Sequence, residues 1–226
     1  MKKYSIIFLS FVSLVLTSCF KEIDNWDSAV LDYSGRYVVR LLDAEGKALT
    51  DYDGTEIHLY STAANKADEM WIDDFQNLLP IKTKVFFTGT PSDFKSVETG
   101  YDKLPVNLYN QNAPTVKPTA EGQTYVSIDN EGGYPRTMKM AVLEGKITPD
   151  GYTTRGGNVT DAIRLKVKIF YGSLTFTSYK TPESTWAVPG DPEYAWEFKE
   201  SKYLPEYDEE LIIEGYLYTG FDEDEF

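Results

Sequence analysis

The feature that most constrains the fold of this chain is a two-residue alternation of apolar and polar side chains, repeated in short segments from residue 35 onward. In Glu56 to Thr62 (EIHLYST), Ile57 and Leu59 alternate with Glu56, His58 and Tyr60. Successive side chains of a strand point to opposite faces, so this pattern makes a sheet with one apolar and one wetted face. The alternation also runs through Gly35 to Asp43, Asp68 to Phe75 and Ile81 to Thr88. It returns at Tyr125 to Asp129, Arg136 to Thr148, Asp161 to Phe170, Ser173 to Lys180, Tyr194 to Lys199 and Leu211 to Tyr218. Asp150-Gly151 and Tyr171-Gly172 read as hairpin turns between neighbouring strands. Residues 89–124, with Pro91, Pro105, Pro114 and Pro118, read as a long excursion carrying a short strand such as Ser92 to Val97. No segment carries a sustained 3.6-residue stripe. About eight to ten short strands with Gly and Pro turns predict an all-β barrel or sandwich, in one domain over residues 35–226.

The first residues have a different character. Met1-Lys2-Lys3 is a short basic start, and Ile6 to Leu16 (IIFLSFVSLVL) is an apolar run broken only by serines. A basic end followed by a short apolar core is the pattern of a secretory signal. The run is shorter than the roughly 20 residues a spanning helix needs. Leu16-Thr17-Ser18-Cys19 follows, and it resembles the lipobox of bacterial lipoproteins. That resemblance implies cleavage after Ser18 and lipidation of Cys19, with residues 1–18 as signal peptide and 19–34 as a lipidated tether. Cys19 is the only cysteine, so no internal disulfide framework is available. Two or more acyl chains, at about 0.8 kcal/mol per buried methylene, would hold such a protein firmly at a membrane.

Charge narrows the partners. The formal net charge is −14. The leader carries two lysines and no acid, so the exported part is more acidic still. A body of this sign repels phosphate backbones, which argues against nucleic-acid binding.

Catalytic chemistry finds few candidates. A serine hydrolase needs a base beside its nucleophile, yet there is one histidine, His58, and no G-x-S-x-G elbow. Zinc sites draw on several His and Cys ligands, and neither a metal nor a cofactor is expected. Asp73 and Asp74 are adjacent on a strand and would face opposite ways, and the tail Asp222 to Glu225 reads as a solvated C-terminus. The aromatic residues are the better candidates. Trp71, Phe87, Phe176, Trp196 and Phe198 lie on expected strands as candidate ligand-lining residues. His58, and Trp186 in the loop Pro182 to Pro192, are candidate rim residues.

Several stretches together resemble a Bacteroidetes lipoprotein family known as lipid-binding putative hydrolases. They are the lipobox, Leu31 to Val39 (LDYSGRYVV), Leu59 to Ala63 (LYSTA) running on to Met70 to Asp74 (MWIDD), and Glu214-Gly215 followed by Thr219-Gly220-Phe221-Asp222 to Glu225. The resemblance implies a calycin or lipocalin-like antiparallel barrel and a lipid or other apolar small molecule as ligand. The expected protein is a non-enzymatic, membrane-anchored lipoprotein of the cell envelope, at the outer membrane. A surface glycan-binding accessory of a nutrient-uptake system, or an interaction module contacting envelope proteins, are the alternatives the sequence leaves open. A closed barrel of about eight strands can fill with side chains or enclose one small ligand, and the sequence does not choose.

Overall fold

The computed structural model describes residues 28–75, 77–79, 82–88, 92–105 and 112–224. The expected signal peptide and Cys19 lie outside the described residues. The strands are β1 (Gly35–Leu42), β2 (Glu56–Ser61), β3 (Glu69–Asp73), β4 (Lys82–Phe87), β5 (Asp93–Lys95), β6 (Thr124–Val126), β7 (Arg136–Thr153), β8 (Val159–Lys180), β9 (Tyr194–Tyr203) and β10 (Glu209–Leu217). One short helix, α1 (Ser127–Asn130), follows β6.

All pairings are antiparallel, and they close into a ring: β1 to β5 in order, then β7, β8 and β10, with β10 returning to β1. The ring is the barrel that the resemblance implied, and one of the two architectures, barrel or sandwich, that the strand pattern predicted. β8 is longer than the ring is tall. Its first half pairs with β7 and β10, and from Gly172 onward its neighbours are β9 and β6. A small three-stranded extension, β6–β8–β9, therefore projects from one end of the barrel.

Two expected turns are strand instead. Tyr171-Gly172 is not a hairpin, because β8 runs through it. Gly172 marks a close crossing, since a Cβ there would lie 2.5 Å from the Lys202 carbonyl oxygen and 2.8 Å from the Met138 side chain. Asp150-Gly151 sits at a register shift between Thr148 and Tyr152, with Asp150 at φ 53°, and forms a bulge in β7. The real β7–β8 turn is Thr154 to Asn158, where the Asn158 carbonyl accepts from the Thr154 amide at 2.9 Å. Strand β6 also stops earlier than expected. The Asn130 side chain accepts from the Val126 amide at 3.0 Å, and the buried Ser127 hydroxyl accepts from the Leu174 amide at 2.9 Å. Such local side-chain bonds turn the chain away from the ladder.

The interior is continuous and apolar. Tyr37 and Val39 from β1 meet Ile57 and Leu59 from β2, Met70 and Ile72 from β3, Val85 and Phe94. The other half is Met140, Val142 and Ile147 from β7, Ile163 to Ile169 at alternate positions of β8, and Leu211 and Ile213 from β10. Each is at most 4 % exposed. A void large enough for a ligand would leave its lining accessible, so the barrel is filled by its own side chains. Val30 and Tyr33 pack on this core from the chain segment before β1, and Leu78, Leu79 and Tyr171 pack on it from the opposite end.

Candidate functional site

With the interior filled, concave surface lies outside it. The extension carries a largely apolar groove. Across its three strands Tyr125, Phe176 and Phe198 stand opposite one another, and Trp196 pairs with Ser178 one step along. Phe176 is buried with Met138 and Leu174, Tyr125 and Trp196 pack against that cluster, and Phe198 is 37 % exposed. The segment from Asn112 to Thr119 lies against this sheet, and the Trp196 indole N–H donates to the Val116 carbonyl at 2.6 Å. Between the segment and β9 runs a groove of about 570 Å³, lined by Pro114, Pro118, Pro192, Tyr194, Ala195 and Trp196 among others. Its volume falls in the range of roughly 300–1,000 Å³ typical of small-molecule sites.

Ala113 and Pro114 also border a second concavity of about 400 Å³, with Tyr125, Glu131 and Arg136 in its wall. There Arg136 donates from Nε to Glu131 Oε2 at 3.0 Å and from a second guanidinium nitrogen to Oε1. The Tyr125 hydroxyl donates to the same carboxylate at 3.2 Å. The hydrogen bond from Arg136 holds the Glu131 carboxyl below its usual range.

A different groove crosses the outer face of the barrel. About 540 Å³ in volume, it is lined by Arg40, Tyr52, Tyr152, Arg164 and Glu214. The Glu214 carboxylate accepts from Arg40 at 2.7 Å and from Arg164 at 2.6 Å. Tyr152 stacks on Tyr216 at 4.4 Å, with Tyr52 edge-on. Burial pushes the Tyr52 hydroxyl up to about 12. Through Thr148 and Arg164 this groove joins a larger one, about 680 Å³, between Lys95, Lys146 and Lys166.

The residues singled out from sequence separate into four places. Phe176, Trp196 and Phe198 do come together, but on the extension rather than inside the barrel. Phe87 faces the interior at one mouth, where its ring lies 5.1 Å from Tyr33 and 6.1 Å from Phe94. Trp71 does not face the interior. It alternates with the core residues Met70 and Ile72, so it points outward, with the ammonium groups of Lys82 and Lys84 at 5.2 and 5.7 Å from its ring. Neither rim candidate stands free at a mouth. His58 lies on the outer face, 3.4 Å from Glu56 and edge-on to Phe75 at 4.6 Å. Trp186 folds back on its own loop, donating to the Thr181 carbonyl at 3.0 Å beneath the Lys180 ammonium.

The carboxylates have structural partners. Asp73 is fully buried and accepts from Tyr60 at 2.7 Å, and Asp74 accepts from the Leu78 and Leu79 amides. Asp224, expected in a solvated tail, is 4 % exposed. It accepts from the hydroxyls of Thr154 and Thr219, the Asn158 amide group and the Gly156 N–H. Burial would raise its carboxyl, but these hydrogen bonds outweigh burial and hold it below the usual range. Sequence reasoning missed Tyr125, Glu131, Arg136 and the Pro114–Pro118 wall. Only the prolines themselves marked that stretch as a distinct path.

The sequence model of a family described as lipid-binding putative hydrolase matches residues 22–222. No curated protein matches the chain.

Proposed function

The chain belongs to the family of lipid-binding putative hydrolases; from that membership we propose that it binds lipid, and from the Cys19 lipobox and the lack of a G-x-S-x-G elbow that it does so as a membrane-anchored lipoprotein without catalysing a reaction. The groove of the extension is the site we assign. One observation carries this placement: the barrel core is filled by its own side chains, while Trp196 and three prolines line a largely apolar groove outside it. The Cys19 lipobox supports anchoring in the cell envelope, at an outer membrane. Native mass spectrometry of the chain from Phe20 onward, which carries every described element, tests the binding. A fatty-acyl compound at near one per chain is expected. Binding that persists undiminished in Trp196→Ala would remove the groove from the proposal. Anchoring has its own test, because Cys19→Ser should move the protein from the membrane fraction to the soluble one.

The glycan alternative draws support from the outer-face groove. Tyr52 and Tyr152 beside Arg40, Glu214 and Arg164 combine ring surface with charged hydrogen-bonding groups, the pairing that sugar rings with apolar faces and hydroxyl edges require. Glycan-array binding abolished by Tyr152→Ala would favour it, and an array without a single hit would sink it.

A further inference from the structure

The two concavities of the extension adjoin one another, one largely apolar and one polar. They share Ala113 and Pro114, and the rings of Tyr125 and Trp196, one from each, lie 5.7 Å apart. The larger end is walled by Pro114, Pro118, Pro192 and Trp196, which offers an acyl chain apolar contact. The smaller end is polar, and its one cation and one anion are already matched. Both oxygens of Glu131 take hydrogen bonds from Arg136, and Tyr125 donates to the same group. Arg136 also donates to the Asn112 carbonyl at 3.0 Å. The apolar end carries one lysine, Lys117, and one glutamate, Glu193, whose carboxylate accepts from the Ala187 amide at 2.9 Å.

A carboxylate or phosphate head placed beside Glu131 would lose water there and find the one cation of that end, Arg136, already paired, which is costly for a charged group. A hydroxylated, uncharged head can donate to the remaining lone pairs of Glu131 and leave the ion pair intact. Resting on the lipid reading above, we propose that the two concavities together bind a single-chain lipid with an uncharged polyhydroxyl head, of the monoacylglycerol class. The tail lies along Trp196 and the head sits beside Glu131 and Arg136.

The test compares 1-monooleoylglycerol with oleate, two molecules sharing a tail, by titration against the chain from Phe20 onward. Monooleoylglycerol should bind at least about tenfold more tightly, a difference near 1.4 kcal/mol. Glu131→Gln exposes the Arg136 charge without removing the side chain, and should reverse the preference toward oleate while far-UV circular dichroism is unchanged. Trp196→Ala should weaken both ligands about tenfold. Oleate binding as tightly as monooleoylglycerol to the unmodified chain would overturn the head-group assignment and leave lipid binding standing. An unchanged preference in Glu131→Gln would overturn the placement of the head. Failure of both ligands to bind would remove the lipid reading itself.

Discussion

At the scale of single residues, Asp224 and Gly215 show how much depends on one side chain or its absence. The carboxylate of Asp224 fastens the C-terminal turn to the β7–β8 turn through Thr154, Gly156, Asn158 and Thr219. Its folded carboxyl is depressed, so the stabilisation is complete above the ordinary aspartate range near ~3.9 and is lost as pH falls through the lower folded value. Hydrogen exchange at the Gly156 amide should therefore stay slow at pH 5 and quicken only in stronger acid, and should be fast at pH 5 in Asp224→Ala. Tyr203 has the opposite sign. Burial, with the hydrogen bond it donates to Asp208 at 2.5 Å, pushes its hydroxyl up to about 12. Stability from this group is present below the unfolded value near ~10 and is lost as pH rises toward 12. A urea midpoint that falls between pH 10 and 12, and falls less in Tyr203→Phe, is the expected result. Gly215 has no such chemistry, only a lack of space. A Cβ there would lie 2.0 Å from the Val38 carbonyl oxygen, which is backbone and cannot swing aside. Gly215→Ala should cost about 3 kcal/mol, the upper end of ordinary overpacking, read as a lower urea midpoint at unchanged slope.

At the scale of elements, β8 joins two structures that pack opposite sides of the same strand. In the barrel its inward residues are Ile163, Leu165, Val167 and Ile169, whereas in the extension the buried set is Leu174, Phe176 and Ser178. The change of parity means that the barrel's outer face becomes the extension's packed face. Phe170, Ala141 and Leu104 begin this second surface, with Tyr101 stacked on Tyr203 at 4.0 Å above them. Lys139 is caught in the junction, donating to the Tyr101 carbonyl at 2.8 Å, and burial lowers its ammonium below the usual lysine range. The extension lacks the interior of the barrel and its Phe198 is part-exposed, so it should open first. Amide exchange should be faster along β9 than along the barrel half of β8, as expected where the packed apolar surface is smaller.

At the scale of the whole molecule, the filled core separates this barrel from those that carry cargo inside. Leu165 is fully buried at its centre. Leu165→Ala should cost about 2–5 kcal/mol and leave a dry apolar void. Xenon should then enter the variant and leave the interior of the unmodified chain empty, and xenon sites inside the unmodified barrel would contradict the packing described. Lipid binding at the extension should survive this substitution, because the groove and the core share no residue.

The period-two pattern determined, without any structure, that the chain is all-β, and it located nearly all the strands. Alternation is local, so a run such as EIHLYST carries its own face assignment. The family resemblance likewise pointed to a barrel. Whether Tyr171-Gly172 turns or continues could not be read locally, because the answer lies in the Lys202 backbone that crosses Gly172 from thirty residues downstream. The candidate site divides in the same way. Aromatic character on strands was legible, and Phe176, Trp196 and Phe198 do share one face. That this face belongs to an extension, that Trp71 points outward, and that Glu131 and Arg136 stand beside Tyr125 were decided by strand pairing and by the path of the segment 112–119. Those are contacts between residues far apart in the chain, and neither composition nor spacing encodes them.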